Sequence, residues 1–196
     1  VLFLHGFTDS RFSYERVLAH LPPGIRAIVP SQRGHGDSER PACCYTVTDF
    51  ASDAMALLDA LGVRRATVVG HSMGSFVAQR IAIDFPERVS RLVLVGSGQT
   101  ARIPAVVEFN AVVQTLTDPV SPDLVREFQQ SMLTTPVPGP FFERVVTESG
   151  KLPARVWREV LAALLADSTA SDLQRIQAPT LIVSGDKDAY WGRDQR

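Results

Sequence analysis

Apolar residues occur along the chain in short blocks that are separated by longer amphipathic stretches. Five apolar runs rich in Val, Ile and Leu lie at residues 1–4, 25–29, 66–69, 92–95 and 180–184. Such runs predict buried parallel strands, because strands covered by helices on both faces lose the strict alternation of apolar and polar residues. Helical patterns follow at 11–21, 47–62 and 75–85, each ended by Gly or Pro. Alternating strands and helices predict a doubly wound, mostly parallel α/β sheet.

The alternation stops after Gly98. Residues 101–166 carry helical patterns and no convincing strand, with a Pro-rich break at 134–140. We therefore predict a core formed by residues 1–100 and 167–196, with a helical cap inserted at 101–166. A lid over a functional site and simple packing on the flank of the sheet are both compatible with this pattern.

The amino-acid composition of the chain limits the classes of molecule that we expect it to bind. The 196 residues are 45% hydrophobic, and 20 basic residues balance 21 acidic residues to a net charge of −1. The length suits one domain with a good-sized core. Since the charges form neither a basic stripe nor an acidic block, we expect neither nucleic acid nor a membrane as a partner. No apolar run approaches the length of a membrane span.

The cysteines and the chain ends add weaker expectations. Cys43 and Cys44 are adjacent, and we expect no bridge between them because the small ring would strain the peptide bond. No Cys/His cluster has metal-ligand spacing, and a reduced, cytoplasmic protein is favoured. The chain begins inside a predicted strand without Met and stops shortly after another, which indicates a piece of a longer protein.

The strongest chemical signal is Gly-His-Ser-Met-Gly at residues 70–74, between a predicted strand and a predicted helix. A serine on such a tight turn has a strained backbone, and its hydroxyl projects above the sheet. Gly70 and Gly74 fit because side chains there would collide with the turn. The following helix directs its N-terminal N–H groups at the same point. Such a motif also arises by chance in glycine-rich turns, but here the strand–turn–helix context favours a nucleophile at Ser72.

The chain resembles the α/β-hydrolase fold family over nearly its whole length. Four segments carry the resemblance: the elbow at 70–74, the His5-Gly6-Phe7 segment, residues 32–38 (Gln-Arg-Gly-His-Gly-Asp-Ser), and residues 178–188 ending in Asp186-Lys187-Asp188. The resemblance implies that Ser72 is the nucleophile and that the N–H groups of Phe7 and Met73 form an oxyanion hole. It also implies that Asp188 is the triad acid, whereas Asp186 is the competing candidate and a turn former.

The resemblance leaves the catalytic histidine unassigned. It implies that His5, His35 and His71 support loops, and His20 ends a helical pattern that we expect at the surface. In the family's order of Ser, Asp and His, the base follows the acid. We therefore expect the histidine after residue 196. The α/β-hydrolase fold would then be incomplete here, lacking two leading strands and a closing strand–helix unit, and the fragment alone would hydrolyse esters poorly.

The leading hypothesis is a serine hydrolase that acts, without a cofactor, on a small carboxylic ester, thioester or lactone. Its partner would be this small-molecule substrate. His5, Gly6, His71 and Trp157 are candidate pocket residues, and Phe109, Phe141 and Phe142 could line an apolar acyl pocket or simply form the core of the cap.

Other functions stay open at this point. A carbon–carbon bond hydrolase or a cofactor-free perhydrolase would use the same residues, and spacing cannot separate them. A non-catalytic ligand-binding or regulatory protein on a hydrolase scaffold is the alternative from another class. Ser at position 72, instead of Asp, argues against the dehalogenase and epoxide-hydrolase branches, which need a carboxylate nucleophile.

Overall fold

The computed structural model describes residues 1–188, 190 and 191. In this part of the chain, four strands form one parallel sheet in the order β1-β2-β3-β4. The strands are β1 (Leu2–Leu4), β2 (Ala66–His71), β3 (Val89–Val95) and β4 (Thr180–Val183). The helices are α1 (Glu15–Leu18), α2 (Val47–Ala60), α3 (Met73–Asp84), α4 (Pro104–Val113), α5 (Pro122–Ser131), α6 (Gly139–Ser149) and α7 (Ala154–Ala166), with short 3-10 turns at Arg11–Tyr14, Pro86–Arg88 and Leu173–Arg175. The predicted α/β class with a parallel sheet is confirmed.

The strand register brings the functional segments to one edge of the sheet. Leu4 pairs with Gly70, Gly70 pairs with Leu94, and Val95 pairs with Val183. The carboxyl ends of the four strands are therefore level. In open parallel sheets, ligands bind in the crevice outside this edge. The loops that follow β1, β2 and β4 carry the candidate residues Gly6 and Phe7, Ser72, and Asp188, respectively.

The core forms around β2 and the helix that follows it. α3 packs on β1, β2 and β3, and α2 packs on α3. On α3, Phe76, Val77 and Ile81 are at most 2% exposed. Most other residues of α3 are buried as well, because the helix lies between the sheet and α2. This packing fixes the N-terminus of α3, which directly follows Ser72.

The apolar run at 25–29 is not a full strand, so that prediction is wrong. Ile28 forms a single parallel bridge with Leu2, and its N–H donates to Val1 O at 2.8 Å. Only Ile28 in this run is buried, whereas Ile25 is 44% exposed. Pro30 follows immediately and lacks an N–H for a further ladder bond.

The predicted helix at 11–21 is also shorter than expected. It consists of the 3-10 turn Arg11–Tyr14 and the single-turn helix Glu15–Leu18. Tyr14 is its buried anchor, and the Tyr14 hydroxyl donates to Leu4 O at 2.9 Å. This contact holds the segment against β1.

The segment between β3 and β4 contains the four helices α4 to α7. α4 packs on α7, and α5 packs on α6. The two ends of the segment meet at an antiparallel bridge between Thr100 and Ser168. The chain therefore leaves and re-enters the sheet region at neighbouring points, as an insertion requires.

Cys43 and Cys44 are joined by a disulfide, so the expectation that they do not bridge is wrong. Cys44 has a left-handed backbone with φ of 74°, and Arg33 Nη1 donates to its carbonyl. The sequence argument did not anticipate this bend. Of the helices in the described residues, none combines the length and the apolar character that crossing a bilayer demands.

Candidate active site

Ser72 lies between β2 and α3 with φ of 50° and ψ of −120°. This is a left-handed conformation that is costly for a residue with a side chain, and such strain concentrates at functional sites. A Cβ at Gly70 would lie 2.2 Å from Gly74 O, and a Cβ at Gly74 would lie 2.1 Å from Leu4 O. Both distances are far inside van der Waals contact. The spacing of the motif is thus a steric requirement of this turn.

The backbone around Ser72 is held from two sides. Ser72 N–H donates to Val95 O at 3.0 Å, which ties the turn to β3. Ser75 Oγ donates to Ser72 O at 2.6 Å. Met73 is the first residue of α3, so its N–H lies at the positive end of the helix dipole. An anion that develops beside Ser72 would be stabilised at this point.

A tight turn at residues 6–9 adjoins Ser72. Asp9 N–H donates to Gly6 O at 3.2 Å, and Thr8 has φ of 62°. Positive φ at the third position is the mark of a type II turn. A Cβ at Gly6 would lie 3.4 Å from Ser72 Cβ and 3.3 Å from His71 Nδ1. Glycine at position 6 lets the turn, with the Phe7 N–H, come this close to the serine.

His5 and His35 are supports beneath this turn. His5 Nδ1–H donates to Gly6 O at 2.9 Å, and His5 Nε2 accepts from Gln32 N at 2.9 Å. The two rings are 5.1 Å apart, and both residues are fully buried. Burial lowers the pKa of His5 well below its usual range, and burial likewise lowers the pKa of His35 to about 4. Both rings are therefore neutral near pH 7, and their hydrogen bonds to the backbone support the neighbouring loops.

Asp9 also belongs to this site, although sequence reasoning missed it. Asp9 Oδ2 would lie 3.0 Å from a Cβ at Gly6, on the same side as Ser72 Cβ and His71 Nδ1. Burial raises the pKa of this carboxyl, while nearby His71 and a hydrogen bond from Gln129 act in the opposite direction. A carboxylate with a perturbed pKa beside a candidate nucleophile is typical of functional sites.

Asp188 lies near the carboxyl end of β3. Its Oδ1 accepts from Tyr190 N and Trp191 N, both at 2.9 Å, so Asp188 fixes its own turn. Its Oδ2 would lie 3.6 Å from a Cβ at Gly96, and His71 Cδ2 would lie 3.9 Å from the same point. One oxygen is thus engaged while the other borders the site. Asp186, the competing candidate, is exposed.

Aromatic side chains of α4, α5 and α7 cluster around Phe7. The Phe7 ring makes edge contacts with Trp157 at 5.4 Å and with Phe128 at 5.9 Å. Phe109 stacks on Phe128 at 4.9 Å. Trp157 is fully buried, and its Nε1 has no partner among the described residues. The structure therefore places Trp157 directly against Phe7, and it links Phe109 to Phe7 through Phe128. Sequence reasoning did not single out Phe128.

Phe141 and Phe142 are arranged differently from the expected acyl pocket. The guanidinium group of Arg16 lies over the Phe141 ring at 5.8 Å, and that of Arg126 lies over the Phe142 ring at 5.5 Å. These rings make cation–π contacts, which keep them beside charged groups. We do not assign them to a pocket next to Ser72.

The predicted position of the catalytic histidine, after residue 196, lies outside the described residues. Within the described residues, Ser72 Oγ makes no hydrogen bond with a histidine ring. His71 adjoins Ser72 and is exposed, and His20 is exposed after α1.

Comparison with known proteins settles the family. A family model described as the alpha/beta hydrolase fold matches residues 1–192. The chain belongs to the α/β-hydrolase fold family. A hydrolase from Pseudomonas aeruginosa with a solved structure has 27% sequence identity and a TM-score of 0.86, over 99% of this chain and 74% of that chain.

The named relatives of the chain differ in the activity that their names give. The non-heme chloroperoxidase of Streptomyces lividans is 28% identical over an alignment 204 residues long, which covers 96% of this chain and 74% of that protein. Epoxide hydrolase 3 of Siraitia grosvenorii is 36% identical over 109 residues, 54% of this chain and 34% of that protein. The chain thus spans about a third of the length of several curated relatives it matches.

Proposed function

We propose that this α/β-hydrolase is a serine hydrolase that cleaves small carboxylic esters, thioesters or lactones through an acyl-enzyme. One observation carries the proposal: Ser72 occupies a strained turn at the N-terminus of α3, directly against the turn at residues 6–9. In the proposed site, the Ser72 hydroxyl would face the backbone N–H groups of Phe7 and Met73. That is the geometry needed for acyl transfer.

The proposed reaction has two halves. Ser72 Oγ bonds to the acyl carbon while its proton passes to a histidine base from outside the described residues. The carbonyl electron pair moves onto oxygen, where the N–H groups of Phe7 and Met73 would stabilise it. The bond to the leaving oxygen or sulfur then breaks, and that atom takes the proton from the base. Water, deprotonated by the same base, then attacks the acyl carbon. The bond from this carbon to Ser72 Oγ breaks, the carboxylic acid leaves, and Oγ takes the proton back from the base.

Asp188 is proposed as the acid that orients the histidine. Its Oδ2 borders the carboxyl end of β3, whereas Oδ1 is used for its own turn. A carboxylate in this role fixes the tautomer of the imidazole and stabilises the imidazolium.

The side chains around Phe7 favour an apolar acyl group. Phe128 and Trp157 contact the Phe7 ring, and aromatic walls exclude water and bury apolar surface. Ser at position 72 separates this chain from family members that need a carboxylate nucleophile, and we do not propose epoxide opening.

Perhydrolysis is the second candidate, favoured by the likeness to a non-heme chloroperoxidase along 96% of the chain. In that reaction hydrogen peroxide replaces water as the second nucleophile. The acyl-enzyme then gives a peracid, and Ser72 is regenerated as before.

The test is p-nitrophenyl ester turnover by the full-length gene product, compared with Ser72→Ala. We expect the substitution to lower kcat by at least about a thousandfold, since the nucleophile is lost. Ser52→Ala, which changes an exposed serine on α2, is the matched control and should behave like the wild type.

Two further experiments separate ester hydrolysis, perhydrolysis and a non-catalytic binding function. A fluorophosphonate should modify Ser72 alone, as seen by peptide mass spectrometry, and hydrogen peroxide should yield peracid only if perhydrolysis is available. Equal turnover in wild type and Ser72→Ala, with no modification of Ser72, would contradict the proposal and favour a non-catalytic binding protein.

A further inference from the structure

Helix α5 of the cap reaches the turn at residues 6–9 with a buried polar side chain. Gln129 Nε2 donates to Thr8 Oγ1 at 3.0 Å, and Asp9 Oδ1 is 3.5 Å from the same nitrogen. Gln129 is 6% exposed and Thr8 is fully buried. A buried side-chain amide without such partners would cost free energy. The contact joins residues that are 121 positions apart in sequence.

Thr8 needs an external constraint. Its φ of 62° lies in the left-handed region, which β-branched residues rarely occupy. Such a conformation costs on the order of 1–3 kcal/mol and persists only where the surroundings impose it. The hydrogen bond from Gln129 is one such constraint, because it holds the Thr8 side chain and so the Phe7–Thr8 and Thr8–Asp9 peptides. The hydrogen bond from Asp9 N–H to Gly6 O closes the same turn, so these constraints extend to the Gly6–Phe7 peptide that carries the Phe7 N–H.

The next residue along α5 acts on the same turn. Phe128 contacts the Phe7 ring at 5.9 Å, while Gln129 binds the Thr8 hydroxyl. Two consecutive residues of the cap therefore hold two consecutive residues of the turn. Phe7 carries the N–H that we assign to the oxyanion hole.

We propose that Gln129 is a positioning residue that, through Thr8, sets the direction of the Phe7 N–H. The inference rests on the proposed function, since it concerns the oxyanion hole of that reaction. The oxyanion hole is then complete only when α5 is docked on the core. The cap thus contributes to the chemical step as well as to covering the site.

Loss of the Gln129 hydrogen bond is expected to change kcat and to leave KM nearly unchanged. An oxyanion donor is used mainly in the transition state, so a misdirected N–H lowers kcat with little change in KM. Losing such a donor costs about a hundredfold or more in kcat. We expect misdirection in Gln129→Met to lower kcat by about tenfold. Met has a similar length and shape but donates no hydrogen bond.

The experiment measures kcat and KM for one p-nitrophenyl ester, together with the thermal midpoint, in variants of the full-length gene product. Gln130→Met is the matched control, because Gln130 is the exposed neighbour on the same helix. Thr8→Ser keeps the hydroxyl and should retain most of kcat. Thr8→Val removes the hydroxyl, and adding Gln129→Met to Thr8→Val should lower kcat by less than twofold more.

Each outcome has one meaning. A selective fall in kcat for Gln129→Met, absent in Gln130→Met and not additive with Thr8→Val, supports the positioning role. An unchanged kcat, or effects that multiply in the double variant, overturns it while the serine mechanism stands. A fall in the thermal midpoint with unchanged kcat also overturns it. If the wild type shows no Ser72-dependent turnover, the serine mechanism and this role fail together.

Discussion

Single backbone positions decide whether the site can form at all. Gly74 illustrates this most directly, because it packs where the helix α3 crosses the end of β1. The missing side chain allows the serine turn to approach Leu4 O and His5 O. This requirement is steric and does not depend on the reaction.

Gly74→Ala should destabilise the fold by about 3 kcal/mol or more, because its Cβ would meet Leu4 O at 2.1 Å and neither backbone can yield. Urea unfolding measures the change. Gly150→Ala is the control, since its Cβ would meet Val146 O at an ordinary 3.4 Å. We expect that control to remain within about 0.5 kcal/mol of the wild type. Equal stability of the two variants would show that the elbow can shift.

Asp9 gives a second prediction at the residue scale, this time with pH. Burial raises the pKa of the Asp9 carboxyl, while His71 and Tyr14 are titratable groups near it. The unfolded chain therefore loses this proton at a lower pH than the folded chain. Above the pKa of the folded state, the ionised Asp9 carboxylate lowers the free energy of unfolding. This loss disappears as the pH falls towards the ordinary pKa of an aspartate side chain.

Asp9→Asn should therefore raise the urea midpoint at pH 7, and its advantage should shrink as the pH is lowered towards 4. Asp37→Asn should do the opposite at pH 7, because a hydrogen bond from Lys151 lowers the pKa of the exposed Asp37 carboxyl. Urea midpoints of the three proteins across this pH range test both signs. A lower midpoint for Asp9→Asn at pH 7 would mean that the carboxylate is stabilised in place.

At the scale of elements, α2 has a clear start signal. Thr46 Oγ1 accepts from Asp49 N–H at 3.1 Å, and Asp49 Oδ2 accepts from Thr46 N–H at 2.8 Å. Such a reciprocal capping box satisfies two helix-terminal donors. It fixes where α2 begins and so how its buried face meets α3.

Thr46→Ala should cost about 1 kcal/mol of unfolding free energy, because the helix loses its cap. Thr48→Ala provides the matched control, as Thr48 is an exposed residue in the first turn. Its replacement should be neutral or slightly stabilising, since Ala has the higher helix propensity. If Thr46→Ala unfolds at the same urea concentration as Thr48→Ala, the cap contributes nothing measurable.

Elements with a complete local signal could be predicted from sequence. The runs at 66–69 and 92–95 became β2 and β3, and the pattern at 47–62 became α2. The run at 25–29 did not become a strand, because pairing depends on a partner edge and on the following proline as well as on hydrophobicity. The hydrophobic content of a run predicts that its residues are buried better than it predicts that they pair in a β-sheet.

The candidate site divides in the same way. Ser72 and Gly6 can be singled out as candidates from the sequence, because each motif and the steric reason for it are contiguous in the chain. Thr8, Asp9 and Gln129 were missed because their roles arise from a contact across 120 residues. One signal did exist: Gln129 follows the buried Val125 by four positions, which puts an amide on the buried face of α5.

For the whole molecule, the question is how the segment with α4 to α7 is attached to the sheet. Gln79 on α3 joins its two ends. Gln79 Nε2 donates to Ser97 Oγ at 2.9 Å and to Gly98 O at 3.0 Å, and Gln79 Oε1 accepts from Thr169 Oγ1 at 2.5 Å. Helix α3, which begins beside Ser72, therefore also binds both ends of the segment that lies between β3 and β4.

Thr169→Val should weaken this anchor, because it leaves Gln79 Oε1 buried without its donor at a cost of about 1–3 kcal/mol. Thr180→Val is the matched control, since Thr180 is exposed on β4. Urea unfolding gives the stability, and hydrogen exchange at the Thr169 N–H, which donates to Gln99 O at 3.0 Å, reports local opening.

We expect faster exchange at the Thr169 N–H in Thr169→Val alone, by more than the global loss of stability explains. That result would mean that the two ends of the segment between β3 and β4 open as a local unit and that α3 restrains them. Exchange that rises only in step with global unfolding would instead mean that the segment with α4 to α7 and the sheet unfold together. Apolar packing would then hold this segment in place, and the Gln79 network would add stability without controlling local opening.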